Sequence, residues 1–115
     1  MTANEYQNAA LCTEPEDLRE AEVTTRLSNG LMGLNGEAGE AIDILKKHLF
    51  QGHDLDTEHL AKELGDVAWY LAVSAAAIDY SLEDIFRMNI EKLKARYPDN
   101  RFDVVRSANR DPDDV

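Results

Sequence analysis

Apolar side chains recur at steps of three and four residues along most of the chain, the period of an α-helix that buries one face. The longest stripe comprises Leu27, Leu31, Leu34, Ala38, Ala41, Leu45 and Leu49. The next comprises Leu60, Leu64, Val67, Leu71, Ala75 and Ile78. Shorter stripes precede and follow them, and the alternation typical of strands is absent. The pattern predicts an all-α fold, an antiparallel bundle of three to four helices with a short irregular C-terminal tail.

Residues that start and stop helices agree with this division. Thr2 and Glu5 form the spacing of a capping box, and Gly52 follows the longest stripe as a C-terminal cap. Asp56 or Thr57 is expected to cap the next helix and Ser81 the last one. The acidic stretch 14–22, which contains Pro15, fits either a loop or the start of the long helix. We expect residues 1–110 to form one domain and residues 111–115 to be disordered.

Four glycines lie beside the longest stripe at steps of three: Gly30, Gly33, Gly36 and Gly39. Each glycine inside a helix costs about 0.5–1 kcal/mol relative to alanine, so the set requires a physical reason. The close approach of another helix or of a ligand is one explanation. A break in the helix near Gly30 is the alternative.

Composition narrows the classes of partner. The net charge of −11 disfavours nucleic acid, although a bound divalent metal would still allow a small phosphorylated ligand. No apolar run is long enough to span a membrane, and no signal peptide is visible. Cys12 is the single cysteine and has no internal disulfide partner, which fits a reducing cytoplasm.

Two pairs of carboxylates carry the candidate chemistry. Glu37 and Glu40 are three residues apart on the first long helix, as are Glu63 and Asp66 on the second, and this spacing stacks each pair on one helix face. If the two faces oppose each other, four carboxylates converge and repel unless a cation binds. An all-oxygen set suits Mg²⁺, for which Mn²⁺ can substitute. The alternative is that all four are ordinary solvated residues.

The sequence around these pairs resembles the MazG-like nucleoside triphosphate pyrophosphohydrolases, an all-α superfamily. The resemblance is strongest over residues 33–40, at Lys46 and Lys47, over residues 63–71 and over residues 89–98. Many members carry a third acidic residue where this chain has Gly36, which leaves the number of metal ions open.

The resemblance implies hydrolysis of a (deoxy)nucleoside triphosphate between its α- and β-phosphates, giving a monophosphate and pyrophosphate. It implies metal binding by Glu37, Glu40, Glu63 and Asp66, with Glu37 or Glu40 as general base. The substrate-binding candidates are Lys47, Asn89, Lys92, Arg96 and Trp69. Members of the family pair their bundles, so a homodimer or a tetramer is expected, with the active site near a subunit interface.

Other functions remain open at this point. A non-catalytic metal-binding or structural module would keep the carboxylates without needing the polar face of Asn89, Lys92 and Arg96. Within the enzymes, the related phosphoribosyl-ATP pyrophosphohydrolases use similar acidic helices, and the sequence does not distinguish dCTP, dUTP, damaged nucleotides or alarmones. A di-iron bundle is disfavoured because no histidine follows Glu37, Glu40 or Glu63 by three residues.

Overall fold

The computed structural model describes all 115 residues and contains six helices and no strand. They are α1 (Ala3–Leu11), α2 (Glu16–Arg19), α3 (Val23–Gln51), α4 (Thr57–Ala77), α5 (Leu82–Arg96) and α6 (Val104–Ala108). The all-α prediction is confirmed: the four longest helices are the four that the pattern predicts. None of the six combines the length and apolar character that a membrane-spanning helix requires.

Side chains at the helix ends account for where the helices begin and stop. The Thr2 hydroxyl accepts from the backbone N–H of Glu5 at 3.1 Å, and the Glu5 carboxylate accepts from the N–H of Thr2 at 3.3 Å, which completes the capping box. Gly52 ends α3 with a φ of 74°, a left-handed conformation that glycine adopts without a steric penalty. Asp56, rather than Thr57, caps α4 by accepting from the N–H of His59.

The acidic stretch 14–22 is neither a simple loop nor the beginning of α3. Its middle forms the single turn α2, and α3 begins separately at Val23. Glu14, just before this turn, is buried and accepts two hydrogen bonds from the Arg26 guanidinium, at 2.6 and 3.0 Å. A buried carboxylate needs such a partner because an unpaired charge there is costly. The pair therefore fixes the α1–α3 connection against the first turn of α3.

The packing of α3 on α4 explains two of the four glycines. A Cβ on Gly30 would lie 2.2 Å from the Ser74 hydroxyl, and one on Gly33 would lie 2.1 Å from the Tyr70 ring. The facing positions on α4 move back along the chain as those on α3 move forward, so the two helices are antiparallel. Close helix approach at Gly30 and Gly33 is thus confirmed, and α3 passes Gly30 without a break.

The glycines should divide into two classes when they are replaced by alanine. We expect Gly33→Ala to lower the free energy of unfolding by about 1–3 kcal/mol, because the methyl group has to displace the Tyr70 ring. Gly36→Ala should raise it by about 0.5–1 kcal/mol, because a Cβ there meets nothing within 4 Å and helix propensity improves. Urea denaturation of the two variants measures both changes. Equal effects would contradict the close approach.

A small core joins α1 to the α4–α5 turn. Ala10, Ala72, Ala75 and Leu82 form the buried apolar cluster. Beside it, the buried Gln7 amide donates to the carbonyl oxygens of Ala72 and Tyr80 and accepts from the N–H of Leu82. One side chain thereby satisfies three backbone groups at the end of α4 and the start of α5. This network holds α1 across both helices.

The single chain is more open than its mass requires. Its radius of gyration is 17.2 Å, whereas a compact chain of this length has about 13 Å. Its accessible surface is 8250 Å², about 2,000 Å² more than a compact protein of its mass exposes. Large apolar side chains are exposed along α3, including Met32, Ile42, Leu49 and Phe50. Exposed apolar side chains grouped along one helix are typical of a subunit that associates.

Candidate metal centre

Three of the four predicted carboxylates meet where α3 faces α4. Glu37 lies one turn after Gly33 on α3, and Asp66 lies one turn before Tyr70 on α4, so the close helix contact continues directly into this pair. Glu63 joins them from the preceding turn of α4. Carboxylate oxygens of Glu37, Glu63 and Asp66 lie within 4.8 Å of one another.

The electrostatics of this group are unfavourable without a cation. A hydrogen bond shared with Glu63 is the main cause that raises the pKa of Glu37. Partial desolvation and the charges of Asp66, Glu63 and Glu40 raise it further. A carboxyl group that prefers to keep its proton beside two other carboxylates indicates that the full negative charge is not balanced by protein groups.

Glu40 does not belong to this group of three. It is exposed and lines a cavity of about 590 Å³ that adjoins the group at the end of the α3–α4 hairpin. The other residues that line this cavity are Asp43, Ile44, Lys47, His53, Asp54, Asp56 and His59. Glu40 still affects the centre, because its charge contributes to the raised pKa of Glu37.

Lys47 brings a positive charge into the same cavity. Its ammonium lies 2.9 Å from the Asp43 carboxylate, one turn earlier on α3. The hydrogen bond to Asp43 is the main cause that raises the pKa of Lys47, with a smaller contribution from Glu40. Lys47 is therefore charged and held at the cavity wall, where an anionic group could contact it.

Two residues near the carboxylates were not assigned a role from sequence. The His59 ring Nε2 lies 3.1 Å from the Glu63 carboxylate, one helical turn further along α4, so the four-residue spacing is the signal that could have indicated it. Tyr6 lies on α1, and its pKa is raised first by burial and then by the charge of Asp66. No short-range pattern relates Tyr6 to Asp66.

The polar face of α5 is separate from the carboxylates within one chain. Asn89 is exposed, and Arg96 and Lys92 contact the C-terminal segment. No hydrogen bond or ion pair joins any of the three to Glu37, Glu40, Glu63 or Asp66.

Trp69 lies at the edge of the α1–α4 core. Its indole N–H donates to the Thr13 hydroxyl at 2.8 Å, and its ring contacts Tyr70 edge-on with centroids 5.0 Å apart. The ring is only partly buried. Its orientation is thus fixed by the core, while part of its surface remains accessible.

The chemistry of the three-carboxylate group fits a hard divalent cation. All of its donors are oxygens, which Mg²⁺ and Mn²⁺ prefer, and it contains no thiolate or imidazole donor of the kind that favours zinc. The pKa of Glu37 is raised, mainly through its interaction with Glu63, and a cation bound among these carboxylates would relieve their repulsion. Both the donor type and the charge of this group therefore suit a divalent cation such as Mg²⁺.

Comparison with known proteins agrees with this arrangement. A family model described as the MazG nucleotide pyrophosphohydrolase domain matches residues 26–101, a range that contains all the candidate metal ligands and α5. The Gene 37 protein of Mycobacterium phage L5 is 40% identical over 74 residues, or 61% of this chain. The match covers 65% of that protein, slightly less than two thirds of its length. No solved structure matches the chain.

Proposed function

The chain belongs to the MazG nucleotide pyrophosphohydrolase domain family, and we propose that it hydrolyses a (deoxy)nucleoside triphosphate between the α- and β-phosphates. The products are a nucleoside monophosphate and pyrophosphate. The observation that carries the proposal is the convergence of Glu37, Glu63 and Asp66 beside an open cavity that contains Lys47. This arrangement supplies a place for a cation and, next to it, space and a positive charge for a phosphate chain.

Glu37, Glu63 and Asp66 would hold Mg²⁺, with Mn²⁺ as a substitute, and Glu40, whose charge acts on Glu37, would add a ligand from the cavity side. When bound, the cation neutralises charge on the phosphate oxygens and lowers the pKa of a coordinated water. His59 supports the ligand set by holding the Glu63 carboxylate in place.

Glu40 is the better candidate of the two predicted general bases. Glu37 is committed to the three-carboxylate group, whereas Glu40 faces the cavity in which a substrate and its attacking water would lie. A base in that position can accept the proton of the water while the other carboxylates remain with the cation.

Cationic and aromatic side chains supply substrate contacts in this proposal. Lys47 binds a phosphate from the cavity wall, where Asp43 already orients it. Asn89, Lys92 and Arg96 contact phosphates and the sugar or base from α5, and the exposed part of Trp69 stacks on the base. The identity of the base is the property that an activity screen has to determine.

The experiment that tests the proposal is a screen for pyrophosphate release across the common ribo- and deoxyribonucleoside triphosphates, with Mg²⁺ and with EDTA. We expect release from at least one nucleotide, only with the metal, and none from a Glu63→Gln variant purified in the same way. No release from any of them with Mg²⁺ or Mn²⁺ would contradict the proposal.

The proposal includes assembly into a homodimer or a pair of dimers. The excess accessible surface of one chain, about 2,000 Å², exceeds the roughly 800 Å² that each partner buries in a standard interface. Ile42 and Phe50 are 61% and 79% exposed on the outer face of α3, where a second copy would cover them.

Light scattering at micromolar concentration is expected to give the mass of a dimer or tetramer. Replacing Ile42 and Phe50 together by aspartate should shift the mass toward the monomer, because charges would have to be buried in the interface. Thr24→Asp, at the exposed start of the same helix, is the matched control and should leave the mass unchanged. A monomeric wild type would contradict this part of the proposal.

A further inference from the structure

The segment after α6 folds back onto α5 and contacts the two cations of its polar face. The Arg96 guanidinium donates from Nε and Nη2 to the two oxygens of the Asp114 carboxylate, both at 2.7 Å. Both side chains are about nine-tenths buried in this contact. Lys92, one turn earlier, donates to the carbonyl oxygen of Val115.

Further arginines surround this contact. A cavity of about 160 Å³ lies between the end of α5 and α6, lined by Ala95, Arg96, Arg106, Asn109, Arg110, Asp111 and Asp114. Arg106 has one acidic partner, Asp99, at 3.9 Å, and Arg110 donates to the carbonyl oxygen of Ser107. Three guanidinium groups therefore line one small cavity in a chain whose net charge is −11.

A guanidinium fork pairs equally well with a carboxylate and with a phosphate, because each presents two oxygens at the right spacing. The bond to Arg96 is the main cause that lowers the pKa of Asp114, so this contact favours the charged form of the carboxylate. Asp114 thus occupies the position on Arg96 that a phosphate group would take.

The segment that carries Asp114 is weakly held by its own backbone. Its turn has two backbone hydrogen bonds: the N–H of Asp114 donates to the carbonyl oxygen of Asp111, and the N–H of Val115 donates to that of Asp113. Apart from Asp114, the side chains of residues 111–115 are exposed. Displacement of Asp114 by another anion would leave Arg96 paired in both states, so the exchange avoids the penalty of an unpaired buried charge.

We propose that Asp114 is an internal competitor for phosphate binding at Arg96, in a subsite formed by the arginine cavity between α5 and α6. The inference rests on the proposed function, since Arg96 is one of the phosphate contacts named there. Arg106 and Arg110 complete the subsite with Arg96, and all of α6 lies outside the region that the family model matches. The C-terminal segment then limits access to its own binding site.

Isothermal titration of the full chain with pyrophosphate, in buffer with EDTA, tests the proposal without contribution from a metal at the carboxylates. Asp114→Asn is expected to tighten pyrophosphate binding about tenfold, because the competing charge is removed at nearly constant shape. Asp113→Asn, one residue earlier with an exposed side chain that makes no hydrogen bond, is the matched control and should bind like wild type. Arg96→Gln should weaken binding at least as strongly as Asp114→Asn tightens it.

Under the proposal, replacing Asp114 and replacing Arg96 therefore change the affinity for pyrophosphate in opposite directions. A purely structural ion pair would give effects of the same sign, with both variants melting lower and neither binding pyrophosphate more tightly. Unchanged or weaker binding by Asp114→Asn, in a variant whose circular dichroism matches wild type, overturns the proposal.

The experiment also separates this inference from the proposed activity. Tighter pyrophosphate binding by Asp114→Asn in a protein that turns over no nucleotide would leave the subsite intact and contradict the hydrolytic function. If the wild type turns over a nucleotide but Asp114→Asn binds pyrophosphate no more tightly, the hydrolytic function stands and the competition by Asp114 is contradicted. In an active enzyme, the same variant should lower the KM for the nucleotide, whereas Asp113→Asn should not.

Discussion

Replacing Asp66 by asparagine is expected to lower kcat/KM for pyrophosphate release by at least about a hundredfold, because a metal that stabilises transition-state charge contributes several kcal/mol. Asparagine keeps the shape of the side chain but removes one of the three charges that converge with Glu37 and Glu63. Asp66 is exposed and makes no side-chain hydrogen bond, so the fold should not depend on its charge. Steady-state kinetics over a range of Mg²⁺ concentrations measures the loss.

Asp17→Asn is the matched control for this variant. Asp17 is an exposed residue of α2 and lies outside the candidate metal centre, so its replacement changes the net charge by the same amount and should leave the activity unchanged. If Asp17→Asn and Asp66→Asn have the same kinetics, the three carboxylates are an ordinary solvated surface.

The second large effect is expected in the stability of the metal-free protein. A cation that binds the folded chain alone, at a hundredfold excess over its Kd, adds about 2.7 kcal/mol to the free energy of unfolding. For a domain of this size that raises the melting midpoint by several degrees. Asp66→Asn should melt higher than wild type in EDTA, because it removes repulsion, and Glu40→Gln should do so to a smaller degree because Glu40 lies outside the group of three. Asp66→Asn should also lose most of the gain on adding Mg²⁺, and Glu40→Gln a smaller part of it.

Sodium chloride at matched ionic strength separates binding from screening. Screening acts on the whole acidic surface, whereas site binding acts only through the carboxylates of the centre. Equal shifts of the wild-type midpoint by Mg²⁺ and by matched NaCl would count against a metal site. Asp17→Asn should respond to both salts as wild type does.

The raised pKa of Glu37 gives the metal-free protein a pH dependence of definite sign. Its folded form binds the proton more tightly than its unfolded form, so this group makes stability fall as pH rises from the ordinary glutamate range through the raised value. Glu37→Gln should remove that part of the slope in melting midpoints measured in EDTA.

The fold was largely predictable because its determinants are local. The capping box of Thr2 and Glu5, the left-handed Gly52 and the apolar stripes each act within a few residues, and all three agree with the same helices. The single-turn helix α2 was not resolved by the pattern, since four residues are too few for a helical period to show. The open shape was also beyond prediction, because it depends on which apolar faces lack a partner.

The candidate site was predictable to the extent that helical spacing determines it. Three-residue spacing correctly placed Glu63 and Asp66 on one face of α4 and Glu37 opposite them. It did not separate Glu40 from that group, because side chains three residues apart are offset around the helix, and a close partner helix selects between them. The contact of Arg96 with Asp114 and the effect of the Asp66 charge on Tyr6 depend on how distant segments return to the bundle, which no local spacing encodes.

In the proposed reaction, the carboxylate centre and a divalent cation hydrolyse the bond between the α- and β-phosphates. Phosphorus-31 nuclear magnetic resonance of a reaction mixture tests it most directly, because one spectrum identifies every phosphate product. With Mg²⁺, we expect the signals of a nucleoside monophosphate and pyrophosphate to grow together in equal amounts, and we expect no change in EDTA. Orthophosphate appearing with a nucleoside diphosphate, or the same turnover in EDTA, would contradict the proposal.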